Sequence, residues 1–99
     1  MNIVFSLEVP AAQLFKNHYD TTSWGPVDRD VGFYSDALRG SWASISAYDG
    51  DRLVAFARVI SDGKLHAFIT EMIAHPEYQR RRLGEQLLKR LVHRATRRE

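Results

Sequence analysis

The hydrophobic period of this chain switches from helical to two near Trp42 and returns to helical after Pro76, so a sheet has to form between helices. The segments "SWASISAY" and "RLVAFARVI" flank "DGD", and Asp49 and Gly50 therefore read as the turn of an antiparallel hairpin. A second turn at "SDGK" leads into "LHAFITEMIAH", a mostly apolar run whose Ile and Phe content suits a central strand. Pro76 ends that strand, because proline has no N–H to give to the ladder.

Upstream, "NIVFSLEV" alternates Ile3, Phe5 and Leu7 with Asn2, Val4 and Ser6, the pattern of a first strand that Pro10 stops. Ala11, Leu14, Phe15 and His18 then recur at helical spacing up to about Tyr19. Turn chemistry in "SWGPVDRD" precedes a second helix, capped by Asp28 or Asp30 and running to Arg39, with Gly40 at its end. After Pro76, the residues Leu83, Leu87, Leu88, Leu91, Val92 and Ala95 mark one face of a third helix. The order strand, two helices, three strands, helix predicts an α+β fold layered in the α/β/α manner. Its mostly antiparallel central sheet has about four strands with flanking helices, in a single domain over residues 1–99. At 99 residues one modest core is possible, burying roughly 60–70% of the unfolded surface.

Composition removes several chemistries. There is no cysteine, which excludes disulfides, thiolate metal sites and a cysteine nucleophile, and is compatible with the reducing cytoplasm. No basic leader with a long apolar run opens the chain, and no window approaches a membrane-spanning length; neither a signal peptide nor a span is expected. Charge is distributed unevenly. Residues 1–79 carry six Lys/Arg against ten Asp/Glu (−4), whereas residues 80–99 carry eight against two (+6). A cationic end of this kind attracts phosphorylated ligands, nucleic acid or acidic membrane faces, and charge alone does not choose among them.

The basic end begins in "HPEYQRRRLGEQLL". A strand running through a turn into a helix exposes the first four backbone N–H groups of that helix, where its dipole also favours an anion. Arg80, Arg81 and Arg82 stand ready to add charge-assisted hydrogen bonds to a pyrophosphate. Together with the preceding strand and proline, "EMIAHPEYQRRRLGEQLL" resembles the acyl-coenzyme A segment of the GCN5-related N-acetyltransferase (GNAT) superfamily, "[Q/R]xxGxG/A" at a helix start. Gln79 takes the first position and Gly84 the second glycine position, while Arg82 replaces the first glycine. Arginine adopts positive φ less cheaply than glycine and its side chain needs room beside the ligand, so the departure lowers the expected affinity; the loop still forms if its backbone there is right-handed.

The resemblance spans Trp42 to Ala95, and more loosely the whole chain, with the acyl-coenzyme A segment at about 66–95. It implies an acetyl-coenzyme A-dependent N-acetyltransferase whose primary amine acceptor attacks the thioester directly; the alternative is a non-catalytic acyl-coenzyme A-binding or protein-interaction module. By resemblance, Met72, Ile73 and Ala74 pair with the pantetheine arm, while Gln79, Arg80, Arg81, Arg82, Gly84 and Glu85 hold the phosphates. Glu71 is the first candidate for general base, with His75 behind it; the competing role for Glu71 is an ion pair with Arg58. Trp24 and Tyr34 are candidates for the acceptor pocket. His18 and His66 also suit the substrate side, but histidine spacing gives no metal cluster, and no metal is expected. The family usually continues past this helix with further strands and a tyrosine acid that the sequence does not contain. An apolar strand edge left open by that shortfall predicts a homodimer. Arginines clustered at a turn and tail, without interleaved aromatics, argue against nucleic acid.

Overall fold

The computed structural model describes residues 3–22, 24–79 and 82–97, with side chains as far as residue 94. Four strands pair antiparallel throughout in the order β1-β2-β3-β4: β1 Ile3–Ser6, β2 Ala43–Asp49, β3 Arg52–Ser61 and β4 Ala67–Ala74. Helices α1 (Ala12–Tyr19) and α2 (Val31–Arg39) lie between β1 and β2, and α3 (Leu83–Arg97) follows β4. The predicted α+β class and the four-stranded antiparallel sheet are observed.

Local chemistry explains the boundaries. β1 is shorter than its alternating pattern, because the Ser6 hydroxyl accepts a hydrogen bond from the Glu8 N–H and turns the chain out of the ladder. Asp30, not Asp28, caps α2, its carboxylate accepting from the Gly32 N–H at 3.1 Å. Gly50 has φ +62 in the hairpin turn between β2 and β3.

Period-two alternation divides β3 between two cores. Ala55, Ala57 and Val59 face Leu83, Leu87 and Leu91 of α3, joined by Ile45 and Ala47 of β2. Phe56 points the other way, into an aromatic cluster with Phe15 of α1, Tyr34 and Leu38 of α2. Among the described side chains of the α3 stripe, Leu83, Leu87 and Leu91 are fully inward, Leu88 is half-buried and Val92 is exposed; the side chain of Ala95 lies outside those described.

The apolar run of β4 suggested a central strand, yet β4 is an edge, paired only with β3. Phe68, Ile69 and Met72 are consequently exposed. Among the described residues no helix is long and apolar enough to cross a membrane.

Candidate active site

The C-terminal half of β4 presents free backbone to its open side. His75 N–H donates to Val54 O at 2.7 Å across the sheet, and alternation then turns the backbone groups of Met72 and Ala74 outward. Gln79 folds back so that Nε2 donates to Ala74 O at 3.2 Å, closing the end of this edge. Ile73 instead faces inward, its side chain on the Phe56 face. Its carbonyl accepts from His18 Nε2 of α1 at 2.9 Å.

A carbonyl can only accept, so His18 carries its proton on Nε2 and Nδ1 is an acceptor. That Nδ1 is buried and has no hydrogen-bond partner among the described residues. Burial pushes the His18 pKa below its ordinary value, partly offset by the bond to Ile73, and nearby His75 adds to the lowering. Beside this strand end lies a cavity of about 250 Å³, walled by Thr21, Thr22 and Trp24 on one side and by Met72 to Ala74, Pro76 and Gln79 on the other.

The turn out of β4 is locked by contacts that periodicity does not reveal. Pro76–Tyr78 forms one 3-10 turn, capped by His75 Nδ1, which accepts from the Glu77 N–H. Arg52, at the start of β3, lies 2.6 Å from His75 Nε2 and donates to Glu77 at 3.1 Å, and the Tyr78 hydroxyl donates to Asp49. Partial burial and the Arg52 cation hold the His75 pKa down against the pull of Glu77. A neutral imidazole accepts at one nitrogen only, so with Nδ1 taking the Glu77 N–H the proton sits on Nε2, facing the Arg52 cation.

At Arg82 the backbone has φ +59, left-handed rather than right-handed. A glycine would take this conformation without strain, and arginine occupies it at a cost of about 1 kcal/mol. Arg82 O receives the first helical hydrogen bond, from Gln86 N–H at 3.1 Å. The N–H groups of Leu83, Gly84 and Glu85 thus have no carbonyl within the helix to bond. A methyl added at Gly84 would meet Met72 Cε at an ordinary 3.9 Å. Glu85 points along the helix toward Lys89, 3.6 Å away, and offers a phosphate only its backbone N–H. Arg80 and Arg81 lie outside the described residues.

Glu71 stands opposite Arg58 in the β3–β4 register and pairs with it in a fork, with Arg58 Nε to Oε2 at 2.8 Å and Nη2 to Oε1 at 2.9 Å. Arg58 also donates to Ala37 O, tying the pair to the end of α2. The carboxylate is not among the groups lining the 250 Å³ cavity. Tyr34 also differs from its expected place on a pocket wall. It is buried, 5.7 Å from the Phe15 ring and 5.4 Å from the Tyr19 ring, because its helical face turns into the aromatic core. Trp24, by contrast, is exposed and stacks edge-on to Tyr19 at the cavity rim. Thr21 and Thr22 line the same wall, a role that no spacing signalled. Among the described residues no group of His, Asp and Glu is placed to hold a metal.

No curated protein matches this sequence in the comparison made, whereas solved structures match widely. A protein of unknown function from meticillin-resistant Staphylococcus aureus, called a probable acetyltransferase, superposes with TM-score 0.85 at 18% identity, over 96% of this chain and 70% of its own. A GNAT family protein from Streptococcus pneumoniae TIGR4 gives TM-score 0.81 at 24% identity, over 96% and 69%. An aminoglycoside 6'-N-acetyltransferase complexed with coenzyme A gives 0.78 at 15%, over 94% and 55%. These likenesses establish the shared fold. In sequence, the profile of the Acetyltransferase (GNAT) family matches residues 7–99, nearly the whole chain, and the chain belongs to that family.

Proposed function

We propose that this protein transfers an acetyl group from acetyl-coenzyme A to a primary amine. The observation that carries the reading is that the outward backbone of Met72 and Ala74 lies at the same end of the sheet as the start of α3, whose first N–H groups have no carbonyl within the helix to bond. The coenzyme A in the aminoglycoside acetyltransferase complex supports the choice of donor.

In this reading the outward amides of β4 pair with the pantetheine arm. The N–H groups of Leu83 to Glu85, with Arg80, Arg81 and Arg82, receive the pyrophosphate. The acceptor enters over Thr21, Thr22 and Trp24. Its nitrogen attacks the thioester carbonyl, the C–S bond breaks, the thiolate leaves and is protonated, and the amine surrenders one proton; an outward β4 N–H stabilises the intermediate oxyanion. No metal is needed.

Glu71 is proposed as the base that takes the proton, with Arg58 fixing its direction. Glu71→Gln should then lower kcat by about 100-fold or more with acetyl-coenzyme A binding intact; a loss of stability with unchanged kcat would assign Glu71 to structure alone. The decisive assay is thiol release from acetyl-coenzyme A against a panel of small amines and peptide N-termini. Release with one class of amine supports the enzyme, and saturable acetyl-coenzyme A binding without release overturns it in favour of a binding module. We further propose a cytoplasmic homodimer in which a second copy covers the first half of the open β4 edge, where Phe68 and Ile69 are exposed, leaving the backbone of Met72 and Ala74 to the pantetheine arm. A monomeric mass by light scattering would sink the dimer.

A further inference from the structure

A second cavity lies on the opposite side of the molecule from the acyl-donor edge. It is the larger, about 580 Å³, and sits between β1, β2 and the C-terminal half of α3. Its floor is apolar, made by Phe5, Leu7 and Ile45, and its rim is basic, made by Lys89, Arg90 and Arg94 with the His93 imidazole. Leu7 is exposed, so the floor is open to an incoming molecule.

Cations in the last turns of a helix suit its dipole and commonly need no further purpose. Two observations go beyond that. Arg90, though exposed, lays its guanidinium 3.9 Å above the Phe5 ring, holding the charge over the apolar floor. The cations also outnumber the carboxylates that could neutralise them. Glu85 is 3.6 Å from Lys89, and Glu8 belongs to an adjoining depression that shares Leu7 and Arg94. Arg94 has no ion-pair partner among the described residues.

We infer that this groove is a binding site for a small anionic amphiphile: an unbranched apolar tail against Phe5 and Leu7, and a carboxylate or phosphate head between Arg90 and Arg94. The volume falls in the range of small-molecule pockets, and the charge on the rim selects the sign of the head group. The site is independent of acetyl transfer, since it shares no wall residue with the 250 Å³ cavity.

The test is calorimetric titration of the full chain with decanoate, decyl phosphate and decanol, each below its aggregation limit, with amide NMR shifts to locate binding. The expected result is saturable binding of an anion at one site, with shifts at Phe5, Leu7 and Ile45, and with decanol weaker by about tenfold or more, the worth of one charge-assisted contact. Decanoate against decyl phosphate identifies the preferred head. Arg90→Glu with Arg94→Glu should weaken the anion by at least about tenfold while decanol is unchanged; the circular dichroism of the variant checks that α3 persists, and Arg94→Gln offers a milder substitution. Equal affinity for decanol and decanoate, shifts confined to other surfaces, insensitivity to the charge reversal, or no binding of either anion would each overturn the assignment.

Discussion

The two faces of the sheet are built by different rules. Under α3 the core is aliphatic, with Leu87 and Leu91 fully buried against Ala55, Ala57 and Val59, and its contacts are non-directional. Under α1 and α2 an aromatic cluster is combined with groups that demand partners: His18 on Ile73 O, and Arg58 on Glu71 and Ala37 O. Non-directional packing stores stability and tolerates small shifts, whereas hydrogen-bonded groups fix positions. The directional face is the one that holds the end of β4, where the proposed chemistry needs its backbone in place.

The largest expected effect strikes the directional face. Arg58→Met leaves Glu71 nearly buried without its cation and should cost about 3–5 kcal/mol in urea denaturation. Adding Glu71→Leu should recover most of that loss; failure to recover it would mean that the pair stabilises rather than orients.

On the aliphatic face, Leu91→Ala should cost about 2–5 kcal/mol through lost burial and a cavity. Acetyl-coenzyme A affinity, measured where the variant is folded, should be unchanged. A comparable loss of affinity would erase the division of labour between the faces.

Acidification should act through the directional face. His18 and His75 both have pKa values below the ordinary 6.5 when folded, so the unfolded chain takes up their protons first. Stability is therefore complete above about pH 6.5 and falls as the pH drops from there toward the folded pKa values, with a slope of at most about 1.4 kcal/mol per pH unit for each proton. His18→Gln keeps a donor for Ile73 O and should flatten the dependence; an unchanged slope would refer it to other groups.

The smallest effect is expected at Arg82. Replacement by glycine relieves the left-handed strain but frees the unfolded chain, for a net gain of about 0.5–1 kcal/mol. A net loss would show that the arginine side chain holds the loop.

Alternation and helical period carried the layout, because each face of each element must find a core. The hairpin at Asp49 and Gly50, the stop at Pro76 and the Leu83, Leu87, Leu91 line were readable from a few neighbouring residues. What depended on distant parts of the chain was not. Whether Arg82 must be left-handed is decided by how Gln79 docks on β4 and where α3 begins. Turn and cap chemistry placed Tyr34 on a helix, but not its ring inside the aromatic cluster. The network of Arg52, His75, Glu77, Tyr78 and Asp49 joins a hairpin to a turn, and no local pattern encodes it. The basic groove is equally nonlocal, since its floor comes from β1 and β2 and its rim from α3.

The bond from His18 to Ile73 ties together residues 55 positions apart. Loop closure makes such contacts late events, after the β2–β3 hairpin and the individual helices have formed. Opening should run in reverse: α1 cannot lift without releasing the β4 carbonyl. Hydrogen exchange at α1 amides and at His75 N–H should therefore share one opening free energy, and the edge proposed to hold the acetyl donor would be assembled only when the first helix is home.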